Sequence, residues 1–251
     1  MENIKNGDVF QLGKHRLACG DINDKLLLKK LIGEEKIKAI ITDVPYGVAY
    51  VESKTGFKQN LACQKIIAND HEQSDEEYKN FTFTWLENLK EYLERKNSVY
   101  IFNCDKMIFP LKEAIVKAGY KFSQLLIWIK SHAVIGRLDY LPQHELIAYC
   151  WYKTHDFVRG KDKSILFYPK PNRSRLHSTM KPISLLRNLI LNSTKTNDIV
   201  FDGFGGSGSC LIACEHTGRR CLMIELDEVH CDTIIKRWEK LSQKEAVKIK
   251  T

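Results

Sequence analysis

Short apolar runs alternate with amphipathic helical segments along most of this 251-residue chain, and no other feature limits the fold as strongly. Such runs predict strands buried on both faces, as in a mainly parallel sheet covered by helices on either side. The chain is therefore expected to adopt an α/β fold. The predicted strands are residues 39–42, 99–103, 125–129, 146–151, 199–202 and 222–225, and the predicted helices are 24–32, 75–94, 106–118, 182–191, 207–216 and 229–241.

The length fits one large domain. No apolar run approaches the roughly 18 residues that span a membrane, and the first residues lack the apolar core of a signal peptide. We therefore expect residence in the cytoplasm of a bacterial cell, with a bacterial or phage origin for the gene, and no membrane partner. None of the eight cysteines forms a C-x-x-C pair, so the spacing predicts no metal site and favours buried free thiols.

Positive charge is in excess and is locally concentrated. Lys and Arg number 39 against 31 Asp and Glu, a net charge of +8, which favours a polyanionic partner. Residues 153–175 alone contain seven basic and two acidic side chains, with Phe157, Phe167 and Tyr168 between them. This stretch and residues 48–69 lack helical or strand periodicity, and long irregular loops in a compact domain are often functional.

A glycine-rich turn follows the predicted strand 199–202, where residues 198–210 read DIVFDGFGGSGSC. Gly203, Gly205 and Gly206 allow a tight turn and a close approach of a ligand to the backbone. The helix that follows offers unpaired N–H groups at its N-terminus. About 20 residues further on, the next strand ends in Glu225, at the position that binds ribose hydroxyls in nucleotide-binding folds.

The turn differs from two common nucleotide motifs. The dinucleotide fingerprint lies on the first strand of its domain, whereas this turn lies late in the chain, and no Gly-Lys-Ser/Thr follows as in a phosphate-binding loop. Asp202 would repel a phosphate but would suit the ammonium group of an amino acid. The turn therefore favours S-adenosylmethionine over NAD or ATP.

A second motif, IITDVPYG, ends the predicted strand 39–42. The strand delivers Asp43 to the sheet edge at which open α/β folds bind ligands. Pro45 then restricts Val44 to an extended conformation. The turn is expected to aim the Asp43 carboxylate, the Val44 carbonyl and the Tyr46 ring into one crevice.

This trio suits methylation of an exocyclic amine. Such an amine is a poor nucleophile because its lone pair is delocalised into the ring of the base. A carboxylate and a carbonyl can accept both amine hydrogens and so orient the nitrogen toward a methyl donor. An aromatic face can stack on a base that has been flipped out of the duplex. Neither a metal nor a covalent intermediate is required.

The motifs and their order resemble those of the beta-class DNA amino-methyltransferases, which are common in prophages and restriction-modification systems. In that family a D-P-P-Y motif precedes an F-x-G-x-G motif, as DVPY at 43–46 precedes FDGFGG at 201–206 here. The family's H-P-T-x-K-P segment corresponds to HSTMKP at 177–182, and its early C-G-D segment to residues 19–21. The resemblance runs from about His15 to Leu241.

The resemblance implies a Rossmann-like methyltransferase fold, with a mixed, mostly parallel seven-stranded sheet and helices on both faces. It also implies a single domain, 1–251, with a circularly permuted motif order. The catalytic half would be about 15–130, the recognition segment about 131–176, and the cofactor-binding half about 177–245.

The resemblance also assigns roles to individual residues. Asp43 and the Val44 carbonyl would accept hydrogen bonds from the target amine, Pro45 would hold the turn, and Tyr46 would stack on the flipped base. Glu225 would bind the ribose of S-adenosylmethionine. The other predicted cofactor-binding residues are Asp21 near the adenine, Thr179, Lys181 and Pro182 on the methionine side, and Asp202, Gly203, Phe204, Gly205, Gly206 and Ser207 in the turn.

Two positions depart from the family pattern. Val44 replaces the first proline of D-P-P-Y, but only the carbonyl of that residue is used, and Val before Pro is also held extended. Ser178 replaces a proline in the second motif. Neither change removes a functional group, so we expect activity to survive.

Contacts to double-stranded DNA are expected between the two halves, in residues 131–175. Basic side chains there would meet phosphates, and Arg and Gln suit the edges of guanine and adenine. The segment is short, so we expect a brief recognition sequence or help from a second subunit in a homodimer. His144 and Glu145 precede an apolar strand and are interpreted as structural. The predicted DNA-binding residues are Lys54, in a loop that would close over the base, and Arg137, Gln143, Arg159, Lys161 and Arg173.

The leading hypothesis is a site-specific methyltransferase acting on N6 of adenine in double-stranded DNA by base flipping. An initial Asp favours adenine, because cytosine-N4 members of the family more often begin the motif with Ser. Cytosine-N4 methylation is one alternative. A methyltransferase acting on RNA or on protein glutamine is a second, although the motif order argues against the glutamine enzymes, in which the cofactor motif comes first. A non-catalytic DNA-binding protein that retains the fold is a third, suggested only by Val44. The recognition sequence and a companion restriction endonuclease stay open.

Overall fold

The computed structural model describes residues 4–47, 72–133, 138–169 and 180–249. In chain order its strands are β1 (Val9–Leu12), β2 (His15–Cys19), β3 (Ile37–Asp43), β4 (Leu93–Asn103), β5 (Tyr120–Ile129), β6 (His144–Tyr152), β7 (Ile165–Phe167), β8 (Ile199–Asp202), β9 (Arg220–Glu225) and β10 (Val247–Lys248). Its α-helices are α1 (Lys25–Ile32), α2 (Asp75–Leu89), α3 (Ile108–Lys117), α4 (Ile183–Ser193), α5 (Ser209–Thr217) and α6 (Glu228–Ser242).

All of these strands belong to one sheet, in the order β10-β1-β2-β9-β8-β3-β4-β6-β5-β7. The five strands from β2 to β4 in this order are parallel to one another. β6 is antiparallel to both of its neighbours, β4 and β5, and β1 is antiparallel to β2 and β10. The predicted mixed, mostly parallel sheet is confirmed.

The predicted number of seven strands is wrong, because the described residues contain ten. β7 and β10 have three and two residues, and both lie at the ends of the sheet. Strands this short do not contain enough residues to show the alternation of apolar and polar side chains that predicts a strand, and their pairing depends on partners far away in the sequence. β1 and β2, which the sequence analysis also missed, pair with each other as an antiparallel hairpin.

Helices cover both faces of the sheet, as predicted. Along β3, Ile40 packs in the core beneath α1, α2 and α3, whereas Ile41 packs on the opposite face with α4, α5 and α6. This alternation follows from the two-residue period of a strand. Both faces of β3 are covered, so six of its seven residues are buried, and residues 39–41 at its centre are all apolar. Within the described ranges, none of the helices combines the length and apolar character needed to cross a membrane.

The helix predicted over 75–94 is too long at its C-terminal end. A capping box formed by Ser74 and Glu77 starts α2 as expected, but the helix ends at Leu89 and a 3-10 turn, Lys90–Tyr92, leads directly into β4. The charged residues at the start of β4 have the composition of an exposed helix surface, which is why the sequence predicts a helix there. Their strand conformation depends on long-range contacts: backbone hydrogen bonds join Arg95 and Asn97 to Thr154, and Leu93 lies opposite Ile37 of β3.

Part of the basic stretch 153–175 is ordered by tertiary contacts. Residues 165–167 form β7, which pairs with β5 in parallel. The preceding loop is attached to α4, because Asp162 accepts hydrogen bonds from the side chains of Asn188 and Asn192 and the Val158 N–H donates to the Asn192 carbonyl. The loop is therefore held against the face of the sheet that carries α4.

The sheet order places the ends of three strands side by side. β3, β8 and β9 are parallel, so Asp43, Asp202 and Glu225 all lie at the carboxyl edge of the sheet. The first of these residues comes from the early part of the chain, and the others come from the late part.

Candidate active site

A pocket with about 400 Å³ of empty space opens at this carboxyl edge. Seven of the residues predicted from the sequence line it, including one from the catalytic motif, Asp43, and one from the segment before α4, Lys181. The other five belong to the glycine-rich turn: Asp202, Phe204, Gly205, Gly206 and Ser207. The structure thus brings the Asp43 end of β3 to the same pocket as the turn that follows β8.

Asp202 and Thr42 connect the two strands at the base of the pocket. The Thr42 hydroxyl donates to Asp202 at 2.8 Å and accepts the Gly203 N–H at 3.2 Å, and the Phe204 N–H also donates to Asp202 at 3.2 Å. Asp202 is only 5 % exposed, and this burial raises the pKa of its carboxyl well above the ordinary value. The carboxyl therefore helps to shape the turn in addition to lining the pocket.

The glycines allow the turn to pack tightly against its neighbours. The Gly205 N–H donates to the Ile224 carbonyl at 2.8 Å, and a Cβ atom at Gly205 would lie 2.9 Å from Met223. Gly208, at φ +76°, is the residue that precedes α5. The Phe204 ring packs against Phe81 and Trp85 of α2, at centroid distances of 5.9 and 6.1 Å. A larger side chain at Gly205 would displace the turn from β9.

Glu225 is connected to the turn through the backbone. One of its carboxylate oxygens accepts the Gly206 N–H at 2.6 Å, and the other accepts the Asp227 N–H at 2.9 Å. Its side chain is 10 % exposed and does not itself line the pocket. Each oxygen keeps a further lone pair that can accept a hydroxyl hydrogen.

The Asp43 carboxylate is held by two side chains. Tyr46 donates its hydroxyl to one oxygen at 2.9 Å, and Lys181 donates to the other at 2.5 Å. Burial raises the pKa of the Asp43 carboxyl, and the nearby Lys181 ammonium offsets this effect only in part. Burial also raises the pKa of the Tyr46 phenol, so the hydroxyl remains protonated and can donate.

The structure adds two residues to this cluster. Glu145, at the start of β6, accepts hydrogen bonds from the Tyr46 hydroxyl at 3.2 Å and from Lys181 at 3.1 Å. Its other oxygen lies 2.9 Å from the ammonium of Lys130. Although burial acts to raise the pKa of Glu145, Lys181 and Lys130 lower it to about 2. The ammonium of Lys181, which was predicted to line the methionine side of a cofactor site, is bound to these two carboxylates.

Among the residues that the structure describes, the remaining predicted catalytic and cofactor-binding residues do not line the pocket. The Val44 side chain is buried in the core, and Pro45 is half-buried. Asp21 is exposed and accepts the Asn23 N–H in a local turn at 2.8 Å. Pro182 precedes the first residue of α4. Thr179 lies outside the described residues.

Three of the predicted DNA-binding residues can be located. Arg159 and Lys161 are exposed in the loop between β6 and β7. Gln143 is exposed, but its side-chain amide donates to the Lys130 carbonyl at 3.1 Å, where β5 and β6 separate. The other three predicted contacts, Lys54, Arg137 and Arg173, lie outside the described residues.

The described cysteines are free, and three of them lie together, one of which, Cys210, lines the pocket. The sulfur atoms of Cys210, Cys214 and Cys221 lie within 4.8 Å of one another, and all three residues are buried. They come from α5 and β9 and pack among apolar side chains. Buried cysteines in such surroundings behave as small apolar residues.

A family model described as DNA methylase, N6_N4_Mtase, matches residues 37–237. The chain is 25 % identical over 248 residues to the type II methyltransferase M.HpaI of Haemophilus parainfluenzae, with 88 % of this chain and 73 % of that protein covered. It is 27 % identical over 243 residues to M.HinfI of Haemophilus influenzae, with 87 % of this chain and 66 % of that protein covered.

Solved structures share the architecture. The M1.HpyAVI–SAM complex has a TM-score of 0.65 at 21 % identity, with 88 % of this chain and 98 % of that chain covered. The PvuII DNA methyltransferase, described as cytosine-N4-specific, has a TM-score of 0.65 at 12 % identity, with 93 % and 94 % covered. The predicted Rossmann-like methyltransferase fold is confirmed by these similarities.

Proposed function

Because this chain belongs to the N6_N4_Mtase family of DNA methylases, we propose that it methylates the exocyclic N6 of adenine in a specific double-stranded DNA sequence by base flipping. The observation that carries this proposal is the position of Asp43 in the same pocket as the glycine-rich turn. A base presented at Asp43 and a methyl donor held by the turn would share one enclosed space.

The methyl donor is S-adenosylmethionine, and the residues around the pocket fit it. The donor carries a positive sulfonium and an ammonium group, and two carboxyl groups, from Asp43 and Asp202, line the pocket. Gly205 and Gly206 line the pocket, so a ligand there would meet the backbone of the turn. Glu225 retains lone pairs for ribose hydroxyls beside the turn. When bound, S-adenosylmethionine supplies an electrophilic methyl group.

The protein's own residues would orient the target amine. Asp43 accepts one amine hydrogen and the Val44 carbonyl accepts the other, so the nitrogen lone pair is aimed at the pocket. Tyr46 and Lys181 hold the Asp43 carboxylate before the base arrives, so little reorganisation is needed at the moment of reaction. As the amine gains positive charge, the Asp43 carboxylate stabilises it.

Adenine is favoured over cytosine by the aspartate that begins the D-V-P-Y motif.

The test is to express the chain in cells that lack adenine methylation and to map modified bases in their DNA at single-base resolution. The wild type is expected to yield N6-methyladenine at one sequence, and D43A to yield none. D232A, which removes a surface carboxylate that pairs with Lys236 on α6, is the matched control and should retain full modification.

Each alternative predicts a different result in the same experiment. Methylated cytosine in place of adenine would assign the chain to cytosine-N4 chemistry. A folded protein that binds S-adenosylmethionine and DNA but leaves no modified base would support the non-catalytic reading. A homodimer and a companion restriction endonuclease remain part of the proposal, and light scattering of the purified protein with and without DNA would test the first.

A further inference from the structure

Four polar side chains form a closed ring of contacts beside the pocket. The single hydroxyl hydrogen of Tyr46 is shared between Asp43 Oδ1, at an O···O distance of 2.9 Å, and Glu145 Oε2, at 3.2 Å. Lys181 lies 2.5 Å from Asp43 Oδ2 and 3.1 Å from the same Glu145 oxygen. The two carboxylates are therefore joined twice, once through a phenol and once through an ammonium. Lys130 fixes the free oxygen of Glu145 at 2.9 Å.

The charges of the ring are balanced and largely shielded from water. The Lys130 and Lys181 side chains are each 6 % exposed, and that of Glu145 is 18 % exposed. Two ammonium groups face two carboxylates, so the cluster is neutral as long as Glu145 is ionised. Without the charge of Glu145, Lys181 would pair with Asp43 alone, and the cluster would carry a net positive charge beside the site of a cationic methyl donor.

We infer that Glu145 is a positioning residue for the proposed methyl transfer, holding Asp43 through Tyr46 and Lys181 and keeping its carboxylate an effective acceptor for the target amine. This inference rests on the proposed function. Because Glu145 competes for Lys181, the Asp43 carboxylate keeps more of its negative charge available to the amine than it would in an isolated ion pair.

The positioning role of Glu145 should change the pH dependence of the methyl-transfer rate. The negative charge of Glu145 raises the pKa of Asp43, so its removal lowers that pKa, and the acidic limb of the rate profile should move to lower pH. With a pKa of about 2, Glu145 stays ionised throughout the working range. The other titratable groups around the ring are Lys130, Tyr78, Cys104 and Asp202. All four are present in both proteins, so the difference between wild type and variant reports on the ring.

The experiment compares the purified full chain with E145Q, E145D and E94Q. The last replaces a half-exposed glutamate that pairs with Lys38 near the start of β4, far from the pocket, and serves as the control. Methyl transfer from labelled S-adenosylmethionine to unmethylated DNA is measured against pH. In the absence of S-adenosylmethionine, NMR of labelled aspartate, assigned with D43N, follows the titration of Asp43.

For E145Q we expect kcat to fall about 10- to 100-fold, the acidic limb to move to lower pH, and the pKa of Asp43 to fall in the cofactor-free protein. E145D keeps the charge but is too short to close the ring, so its kcat should fall while its acidic limb stays near that of the wild type. E94Q should match the wild type in every measurement.

Wild-type kcat in E145D, or an unchanged acidic limb and Asp43 titration in E145Q, would overturn the inference. If E145Q does not fold, the kcat of E145D alone tests the inference. If the proposed function itself is wrong, the result differs from both of these outcomes: the wild type would bind S-adenosylmethionine but transfer no methyl group. In that case the positioning role of Glu145 would be excluded as well.

Discussion

Lys181 and Asp43 are 138 residues apart in the chain, yet the ammonium of one lies 2.5 Å from the carboxylate of the other in the wall of the pocket. The pair joins the segment before α4 to the end of β3. In the same ring, Lys181 lowers the pKa of Asp43 and Glu145 raises it, so the two neighbours have opposite electrostatic effects on the proposed acceptor.

Replacing Lys181 with methionine should therefore shift the acidic limb of the rate profile in the direction opposite to E145Q. Loss of the ammonium raises the pKa of Asp43 further, so a larger fraction of the protein is protonated and inactive at mildly acidic pH. We expect kcat near neutral pH to fall about tenfold or more. The measurement is kcat against pH, and a limb that moves to lower pH would contradict the assigned pairing.

Replacing Glu225 with alanine should weaken cofactor binding much more than DNA binding. The carboxylate accepts the Gly206 N–H of the turn, and we propose that it also accepts ribose hydroxyls. Loss of these hydrogen bonds should lower the affinity for S-adenosylmethionine about tenfold or more. Calorimetric titration with the cofactor and fluorescence titration with DNA would be compared, and equal losses in both would argue against the ribose role.

Gly205→Ala should destabilise the protein and impair the cofactor site together. The added methyl group would lie 2.9 Å from Met223 and 3.2 Å from Ile234, both fully buried. Overpacking of this kind costs about 1–3 kcal/mol. Urea unfolding gives the stability, and the affinity for S-adenosylmethionine should fall at the same time. A variant with wild-type stability would show that the turn is less tightly packed than described.

Stability should decrease below about pH 6.5 because of His15. The ring is buried, its Nε2 lies 2.7 Å from Glu215, and its Nδ1 accepts the Cys221 N–H at 2.9 Å, so the folded state holds a neutral ring protonated at Nε2. Burial lowers the pKa from 6.5 even though Glu215 opposes the shift. Below pH 6.5 the unfolded chain therefore binds a proton that the folded chain does not, and the stability falls.

Urea unfolding across this pH window would test the assignment of His15. The wild type should lose free energy of unfolding with a slope of up to about 1.4 kcal/mol per pH unit. H15Q should be less stable overall but should lack this part of the slope. H216Q removes an exposed histidine of α5 and should keep the slope of the wild type.

Arg159 and Lys161 should contribute to DNA affinity without contributing to sequence choice. Both are exposed in the loop between β6 and β7, as suits phosphate contacts. The double alanine variant should reduce the slope of log K against log salt by about two. The double variant K29A/K240A removes two exposed charges from α1 and α6 and serves as the control. A changed recognition sequence in the first variant would mean that these residues read bases.

The sequence was most informative where the decisive signals are local. Asp43 and Asp202 were predicted at strand ends because each ends an apolar run and is followed within a few residues by a Pro or Gly turn, and Glu225 was predicted because it ends the next apolar run. That their strands lie side by side follows from the rule that parallel strands share a carboxyl edge. Seven of the predicted residues accordingly line one pocket.

Features that depend on long-range pairing were missed. Glu145 was interpreted as structural because it opens an apolar strand, and its meeting with Lys130 depends on the antiparallel pairing of β5 with β6. The same holds for the C-terminal end of α2, because the conformation of Leu93 is set by its pairing with Ile37 in β3. An acidic residue that begins a strand is a weak signal until its neighbours across the sheet are known.

The sheet order has a consequence for biosynthesis. β2 and β3 are separated in the sheet by β9 and β8, which are made more than 150 residues later. A growing chain that has reached only β7 therefore has a gap two strands wide in the middle of its sheet, with unpaired edges on either side. β8 and β9 fill this gap only after they have left the ribosome, so the pocket cannot be assembled earlier and should depend on protection of those edges until then.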